Sequence, residues 1–554
     1  MTTLIIVESP TKARAISGYV GPGYRVRATF GHFRDLPEDE LGIDVENGFR
    51  PHYRVTNRKV TQSLREEIGQ ASAIILATDP DREGEAIAWH VLDFFRKEIG
   101  RKPVVRAEFH EITPQAVRRA LDSPRGLDMN LVNAQQARRI MDRLVGYIIS
   151  PALSREMRAA ASAGRVQTAA LRLIVERDRE IAAFVPEEYW TLDVELSKDN
   201  QRFTARLTWI NEEKADLRTE ADTKRIMDDL DGATYTVSET RVERRLQFPH
   251  PPYTTATMQR DAANRLNWSP KKTMQIAQEL FEGVKVGDET VGLITYMRTD
   301  SVAVAPEAQT EARQVIAEIF GEHLLPEEPP TYRTETKNAQ EAHEAIRPTS
   351  ARRLPDRVAS FLSSDQARLY EMIWRRFIAS QMKPAAWEVK TVIVDAPGRS
   401  ATVYGFLATG RRLLDPGFLV AWWERPEDIL LPELKSGDRL RFHRFIPERH
   451  FTEPPPHFTE ASLIKELERR GIGRPSTYAT ILEAIVRRGY VEKRGKSLHA
   501  TDFGFRACDL LLARYPEIFA LEFTARMEER LDRIAAGAER WQDAVRDLFS
   551  RLNG

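Results

Sequence analysis

The sequence has almost no cysteine: Cys508 is the single one in 554 residues. A disulfide framework is thereby excluded, and so is any cysteine-clustered zinc site. Long apolar runs are missing as well. The N-terminus offers only Leu4–Val7 before Glu8, too short for a signal peptide, and no stretch approaches the roughly 20 apolar residues of a membrane span. The expectation is a cytoplasmic protein with no membrane partner. Neither charge is in excess, since 82 Lys and Arg balance 82 Asp and Glu. Taken alone, that balance argues against a nucleic-acid partner, because such domains are often basic overall. Length predicts three to four domains at roughly 150 residues each, and 42% hydrophobic with 30% charged residues suits well-cored globular units.

The distribution of charge reverses the first impression. Between Ala134 and Arg179 nine basic residues oppose four acidic ones, and between Arg441 and His499 twelve oppose seven. The neutral total is a cancellation between basic helical segments and an acidic remainder. Local basic stripes are enough to neutralise phosphates.

The first 120 residues alternate short apolar runs with helical patterns. Strands are expected at Leu4–Val7, Tyr24–Ala28, Ile74–Ala77 and Val104–Phe109, and helices after Ser9-Pro10, at Gly84–Phe95 and after Thr113-Pro114. That alternation predicts a parallel sheet covered on both faces, with ligands beyond the carboxyl ends of the strands. From Asn130 to Ala183 the pattern is helical throughout. β-Structure is expected at Leu192–Leu196, Arg202–Trp209 and Thr234–Thr240, and again at Glu388–Val394 and Ser400–Phe406, with helices between and a mainly helical last hundred residues. β-Stretches on both sides of a helical block imply a domain discontinuous in sequence. Gly489 to Ser497 imitates a phosphate loop, but five residues rather than four separate its glycines, and it reads as a basic hairpin. No nucleotide cofactor is expected.

Glu8 directly follows the first strand, and Asp79, Asp81 and Glu83 follow Ile74–Ala77. Any one of these acids is adequately explained by turn or capping chemistry. Four of them at two strand ends favour a metal, Mg²⁺ in particular, which takes oxygen ligands. The runs Val7-Glu8-Ser9-Pro10-Thr11-Lys12-Ala13 and Thr78-Asp79-Pro80-Asp81-Arg82-Glu83-Gly84-Glu85 resemble the Toprim domain. Their wording is similar to the type IA DNA topoisomerases, the bacterial topoisomerase I branch in particular.

A second signal is Leu293-Ile294-Thr295-Tyr296-Met297-Arg298-Thr299-Asp300-Ser301. A tyrosine hydroxyl can attack a phosphodiester and keep the bond energy in a phosphotyrosine, and a nearby arginine can stabilise the phosphoryl oxygens. Most of the 14 tyrosines should be ordinary core or surface residues. This nine-residue run, however, resembles the nucleophile motif of the same family nearly word for word, and Met297 resembles the topoisomerase I form of it. Gly31-His32 with Asp35-Leu36-Pro37 resembles an early family loop. Gln136–Arg139 with Asp142–Tyr147 resembles its DNA-facing helix, and Ser162-Ala163-Gly164-Arg165-Val166-Gln167 a second DNA-contacting segment at a helix start. Gln340–Pro348 and Gly471–Ala479 resemble two further motifs.

The resemblance covers the whole chain and implies a multi-domain α/β plus α toroid. A Toprim (Rossmann-like) domain is expected at 1–122. A helical DNA-binding domain would be split between 123–188 and 440–554, and a β-rich hinge between 189–253 and 384–439. A helical domain at 254–383 would carry the nucleophile. The implied catalytic residues are Tyr296, Glu8, Lys12 and Arg298. The implied metal ligands are Glu8, Asp79 and Asp81 with Glu83 supporting, the cofactor being Mg²⁺. His32, Arg138, Arg139, Asp142, Arg143, Arg155, Ser162, Ala163, Gly164, Arg165, Val166, Gln167, His343, Arg474 and Tyr478 would meet DNA. The implied activity is ATP-independent relaxation of negatively supercoiled DNA through a 5′-phosphotyrosine, by a monomer in the bacterial nucleoid. A topoisomerase III-like decatenase, another Toprim enzyme such as a primase or nuclease, and a non-catalytic single-stranded DNA-binding protein are the alternatives. The expected chain is a catalytic core without C-terminal zinc ribbons.

Overall fold

The computed structural model describes residues 2–333, 344–424 and 426–553. Its first unit is built around four parallel strands in the order Tyr24–Ala28, Thr3–Val7, Ala73–Leu76 and Val104–Arg106. Successive residues of a strand point to opposite faces, and both faces are covered. Leu4 and Ile6 pack with Leu64, Ile68, Val91 and Phe95, while Ile5 and Val7 join a core shared with Phe281 and Tyr296. The fourth strand stops at Arg106 rather than at Phe109. Beyond it Ala107 N–H donates to Leu76 O, the last residue of the neighbouring strand, and Arg106 turns its own backbone to Arg125.

A long helix, Met129–Met157, and a second, Arg165–Ala183, follow. They pack with Glu460–Arg469, Tyr478–Arg487, Asp502–Arg514, Leu521–Ala535 and Trp541–Asn553 in one core, so the first basic segment and the part of the second beyond Phe458 share one helical unit. The hairpin Val491–Arg494 with Ser497–Ala500 sits where the false phosphate loop was read.

The large antiparallel sheet is closed. Glu188–Lys198 pairs with both Gln201–Ile210 and Arg439–Phe451, and Ala385–Pro397, Val403–Asp415 and Tyr235–Gln247 complete the ring. The ring closes over only part of its strands, since Tyr235–Gln247 meets Arg439–Phe451 at two positions, Tyr235 with Leu440 and Thr236 with Arg439. Arg439–Phe451 lies past the 384–439 limit read from the sequence, because exposed Arg439, Arg441, Arg444 and Arg449 mask its apolar row, Leu440, Phe442 and Phe445. Val403–Asp415 starts three residues later than expected, since Gly398–Thr402 is a turn with Ala401 at positive φ. Between the barrel segments lie Thr255–Asp261, Pro270–Glu282, Pro306–Ile319 and Ser364–Ser380, which share one core with Ile5 and Val7 of the parallel sheet.

Candidate active site

Glu8 and Asp79 sit just past the carboxyl ends of adjacent parallel strands, where the sequence placed them. Ser9 caps the helix Pro10–Ser17 by accepting from Lys12 N–H at 3.1 Å, and proline at the first helical position fixes the turn. That turn aims Lys12 inward. Its ammonium is fully buried, bonded to Glu8 Oε1 and, at 2.6 Å, to Asp79 Oδ1, with the rings of Phe109 and Phe281 each 5.5 Å away. Asp81 is the cap of Arg82–Phe94, its Oδ1 accepting from Gly84 N–H at 2.8 Å. Gly84 has to be glycine, because a Cβ there would lie 2.2 Å from Asp79 O. Arg106, buried, braces the same loop by donating to Asp79 O at 2.7 Å and Leu76 O at 3.0 Å while pairing with Glu85 at 2.9 Å.

Tyr296 arrives from the other side on an extended segment. Gly292 lets this segment approach closely, since a Cβ would lie 2.5 Å from Phe281 O. Thr295 Oγ1 donates to Ala345 O at 2.7 Å and Thr255 Oγ1 to Met297 O at 2.6 Å, so residues on either side of Tyr296 are tied down. The Tyr296 N–H donates to His110 O at 2.8 Å, and its ring packs edge-on against Phe281. Its hydroxyl donates to Asp81 Oδ2 at 2.7 Å, and Arg298 Nη1 approaches the same oxygen at 3.3 Å. Only 2% of Tyr296 is exposed.

The electrostatics follow from this crowding. Burial, then Asp79, push Glu8 up to about 8 despite the opposing pull of Lys12. Burial works against the charged form of Asp79 too, but Lys12, Glu8 and Arg298 outweigh it and hold its carboxyl below the usual range. Burial and the two aspartates raise the Tyr296 phenol well above its ordinary value. The site therefore stores one proton on Glu8 and one on Tyr296.

Glu83 lies apart from this group. It accepts from Gln135 at 3.1 Å and sits 3.3 Å from His32 Nε2. Burial opposes its ionisation, yet His32 and then Arg138 and Gln135 hold it down at about 2. His32, Asp35, Arg138, Arg139 and Asp142 line a cleft of about 330 Å³ with Tyr53, His90 and Gln135. Arg139 is bidentate to Asp35, and Arg143 reaches Leu36 O at 3.4 Å. Arg165 is buried, 3.0 Å from Asp142 and 3.9 Å from Glu528. The helix that begins at Arg165 takes Gly164 as its cap; Ser162 instead exchanges two hydrogen bonds with the Tyr490 hydroxyl. Ala163 and Val166 are buried, Gln167 accepts from Arg488, and Arg155 is exposed on the far end of Met129–Met157. Arg474 pairs with Asp532, and Tyr478 lines a second cavity of about 270 Å³ with Asp300 and Asp532. His343 lies outside the described residues.

Sequence reasoning missed Glu528 and Asp532. Both project from Leu521–Ala535 toward arginines: Asp532 meets Arg82 and Arg474, and fully buried Glu528 is surrounded by Arg138, Arg474 and Arg165. The available signal was periodicity. Thr524, Met527, Glu528 and Leu531 share the buried face of an otherwise charged helix.

A model of the bacterial DNA topoisomerase family matches residues 126–546, and the Toprim domain model matches 3–112. DNA topoisomerase 1 from each of two strains of Xylella fastidiosa is 43% identical over 559 aligned positions, which span 97% of this chain and 68% of the relative. The solved structure of full-length topoisomerase I from Thermotoga maritima matches with a TM-score of 0.88 and 37% identity, over 99% of this chain and 89% of that one.

Proposed function

The chain belongs to the bacterial type IA DNA topoisomerases, and from that premise we propose that it relaxes negatively supercoiled DNA without ATP, cutting one strand through Tyr296. The observation that carries this reading is the hydrogen bond between Tyr296 and Asp81, which joins the tyrosine segment to the strand-end acids across 215 positions of sequence.

In the proposed step the Tyr296 oxygen attacks a phosphodiester phosphorus. The new bond is a 5′-phosphotyrosine, and the bond that breaks is the one to the 3′-oxygen. The phenolic proton leaves toward Asp81, its hydrogen-bond acceptor. The proton on Glu8 passes to the departing 3′-oxygen as general acid, and Glu8 takes it back when the 3′-hydroxyl reseals the strand. Lys12 and Arg298 offset charge on the phosphoryl oxygens.

The donor set suits a divalent cation of the hard type. Glu8 Oε2 is buried without a hydrogen-bond partner, and Asp79 and Asp81 add further carboxylate oxygens. Mg²⁺ would be held by Asp79 and Asp81, with Glu8 adding an oxygen only in its ionised form, and when bound would supply positive charge beside the phosphate. Glu83, which accepts from Gln135 and sits 3.3 Å from His32, stands outside that group. Among the described residues the cleft of His32, Arg138 and Arg139 is the surface best suited to a single strand, read mainly through its phosphates.

Tyr296 is enclosed, so a strand reaches it only after its segment parts from the acids. The hydrogen bonds that would have to break include Tyr296 and Arg298 to Asp81, Tyr296 N–H to His110 O, Gly292 N–H to Ile112 O, the Tyr19 hydroxyl to Thr290 O, and the ion pair of Arg347 with Glu111 at 3.2 Å. We assign the opening to the barrel acting as hinge of a toroid, with Toprim at 1–122, helical parts at 123–188 and 452–554, hinge parts at 189–253 and 384–451, and the Tyr296 unit at 254–383. The second hinge part is extended from 439 to include the strand Arg439–Phe451. The protein would act as a monomer. The test is Mg²⁺-dependent relaxation of a negatively supercoiled plasmid without ATP; failure under those conditions overturns the reading.

A further inference from the structure

A cluster far from the tyrosine site takes no part in that chemistry. Asp178 lies on the helix Arg165–Ala183, His457 follows Pro454-Pro455-Pro456, and His499 lies on the strand Ser497–Ala500. Their ligand atoms all lie within 4.8 Å of one another, and each residue is half-buried. The two imidazole centroids are 4.0 Å apart, His457 Nδ1 is 2.8 Å from Asp178 Oδ1, and Asp178 Oδ2 accepts from Ala500 N–H at 2.8 Å.

The convergence is anchored by backbone and packing. Leu498 N–H donates to Phe458 O at 2.7 Å, which sets the neighbours His499 and His457 side by side. Arg177, next to Asp178, donates to Pro456 O at 2.7 Å and stacks over Phe458 at 4.3 Å, fixing the third segment. The adjoining cations are already engaged, Arg179 by Asp509 and Arg494 by Glu492.

We propose that Asp178, His457 and His499 form a binding site for one divalent transition-metal ion of the zinc class, which staples the helix Arg165–Ala183 to the chain leaving the barrel and to the hairpin. Two imidazoles and one carboxylate make a borderline donor set that suits Zn²⁺, unlike the all-carboxylate group beside Tyr296. Half-burial leaves room for water in the remaining position. Binding exchanges the His457–Asp178 hydrogen bond for metal bonds, and a ligand that binds only the folded chain stabilises it.

The test uses the full chain, stripped with a chelator and titrated with Co²⁺ as an optical probe. One equivalent should produce the visible bands of a four-coordinate nitrogen and oxygen site. Zn²⁺ should displace them and raise the thermal midpoint, while excess Mg²⁺ should leave them in place. His499→Gln, which keeps the His457–Asp178 bond, should abolish the bands and the Zn²⁺-induced shift, as should Asp178→Asn, which keeps an acceptor for Ala500 N–H. Absence of bands at one equivalent, or bands and shift unchanged in either variant, overturns the proposal. Neither readout involves DNA, so its failure is distinguishable from failure of the proposed function.

Discussion

The Tyr296 hydroxyl donates to Asp81 Oδ2 across 2.7 Å, and the same oxygen is 3.3 Å from Arg298. One carboxylate oxygen thus faces both the nucleophile and its neighbouring cation, while the other oxygen of Asp81 caps a helix. Asp81→Asn preserves the cap and removes the charge. Strand cleavage should fall by about 10²-fold or more, with single-stranded DNA binding retained. Single-turnover cleavage and a binding titration on the same variant check this; undiminished cleavage would count against the assigned role of Asp81.

Lys12 bridges Glu8 and Asp79 with no exposed surface. Lys12→Met leaves two buried carboxyl groups facing each other. Loss of one partner from a buried ion pair costs on the order of 3–5 kcal/mol, so the thermal midpoint should drop clearly. Lys12→Arg retains the charge but not the space, and should recover only part of the loss.

The pH dependence follows from Glu8, raised from an ordinary 4.5 to about 8 mainly by burial. Between those values the folded chain keeps a proton that the unfolded chain releases. Stability contributed here therefore falls as pH rises from about 4.5 to 8. The same proton is the proposed general acid, so cleavage should decline as pH passes about 8. A single-turnover rate profile reads the second effect. Melting of wild type against Glu8→Gln reads the first, with the variant showing the flatter dependence.

Glu528 is completely buried among arginines. Glu528→Gln should destabilise by on the order of 3 kcal/mol, because Arg138 and Arg165 lose their counter-charge. The orientation of Arg138 in the His32 cleft should loosen with it, weakening single-stranded DNA binding. An unchanged thermal midpoint would contradict this account of the arginine cluster.

The strand-end acids were legible because period and punctuation suffice there: apolar runs, Ser9-Pro10 and Asp79-Pro80 place Glu8 and Asp79 at the same edge of a parallel sheet. The tyrosine segment was legible only through its resemblance to a family, since it is neither helix nor strand. What stayed hidden depends on distance along the chain. Asp532 meets Arg82 across 450 positions, and no local pattern announces such a pairing. Arg106 looked like an ordinary strand residue, yet its side chain braces the loop that carries Asp79. The strand Arg439–Phe451 escaped because arginine covers its outer face, and its inner face shows only against Glu188–Lys198. Arg138 and Arg165 read as exposed phosphate contacts, while the fold buries both beside Glu528.

The central claim is that Tyr296 is the nucleophile. The most direct measurement is a denaturing gel of the protein incubated with end-labelled single-stranded DNA and Mg²⁺. Wild type should yield a covalent adduct on the 5′-phosphate side of the break, and Tyr296→Phe should bind the same DNA without forming one. A normal adduct in Tyr296→Phe would contradict the account.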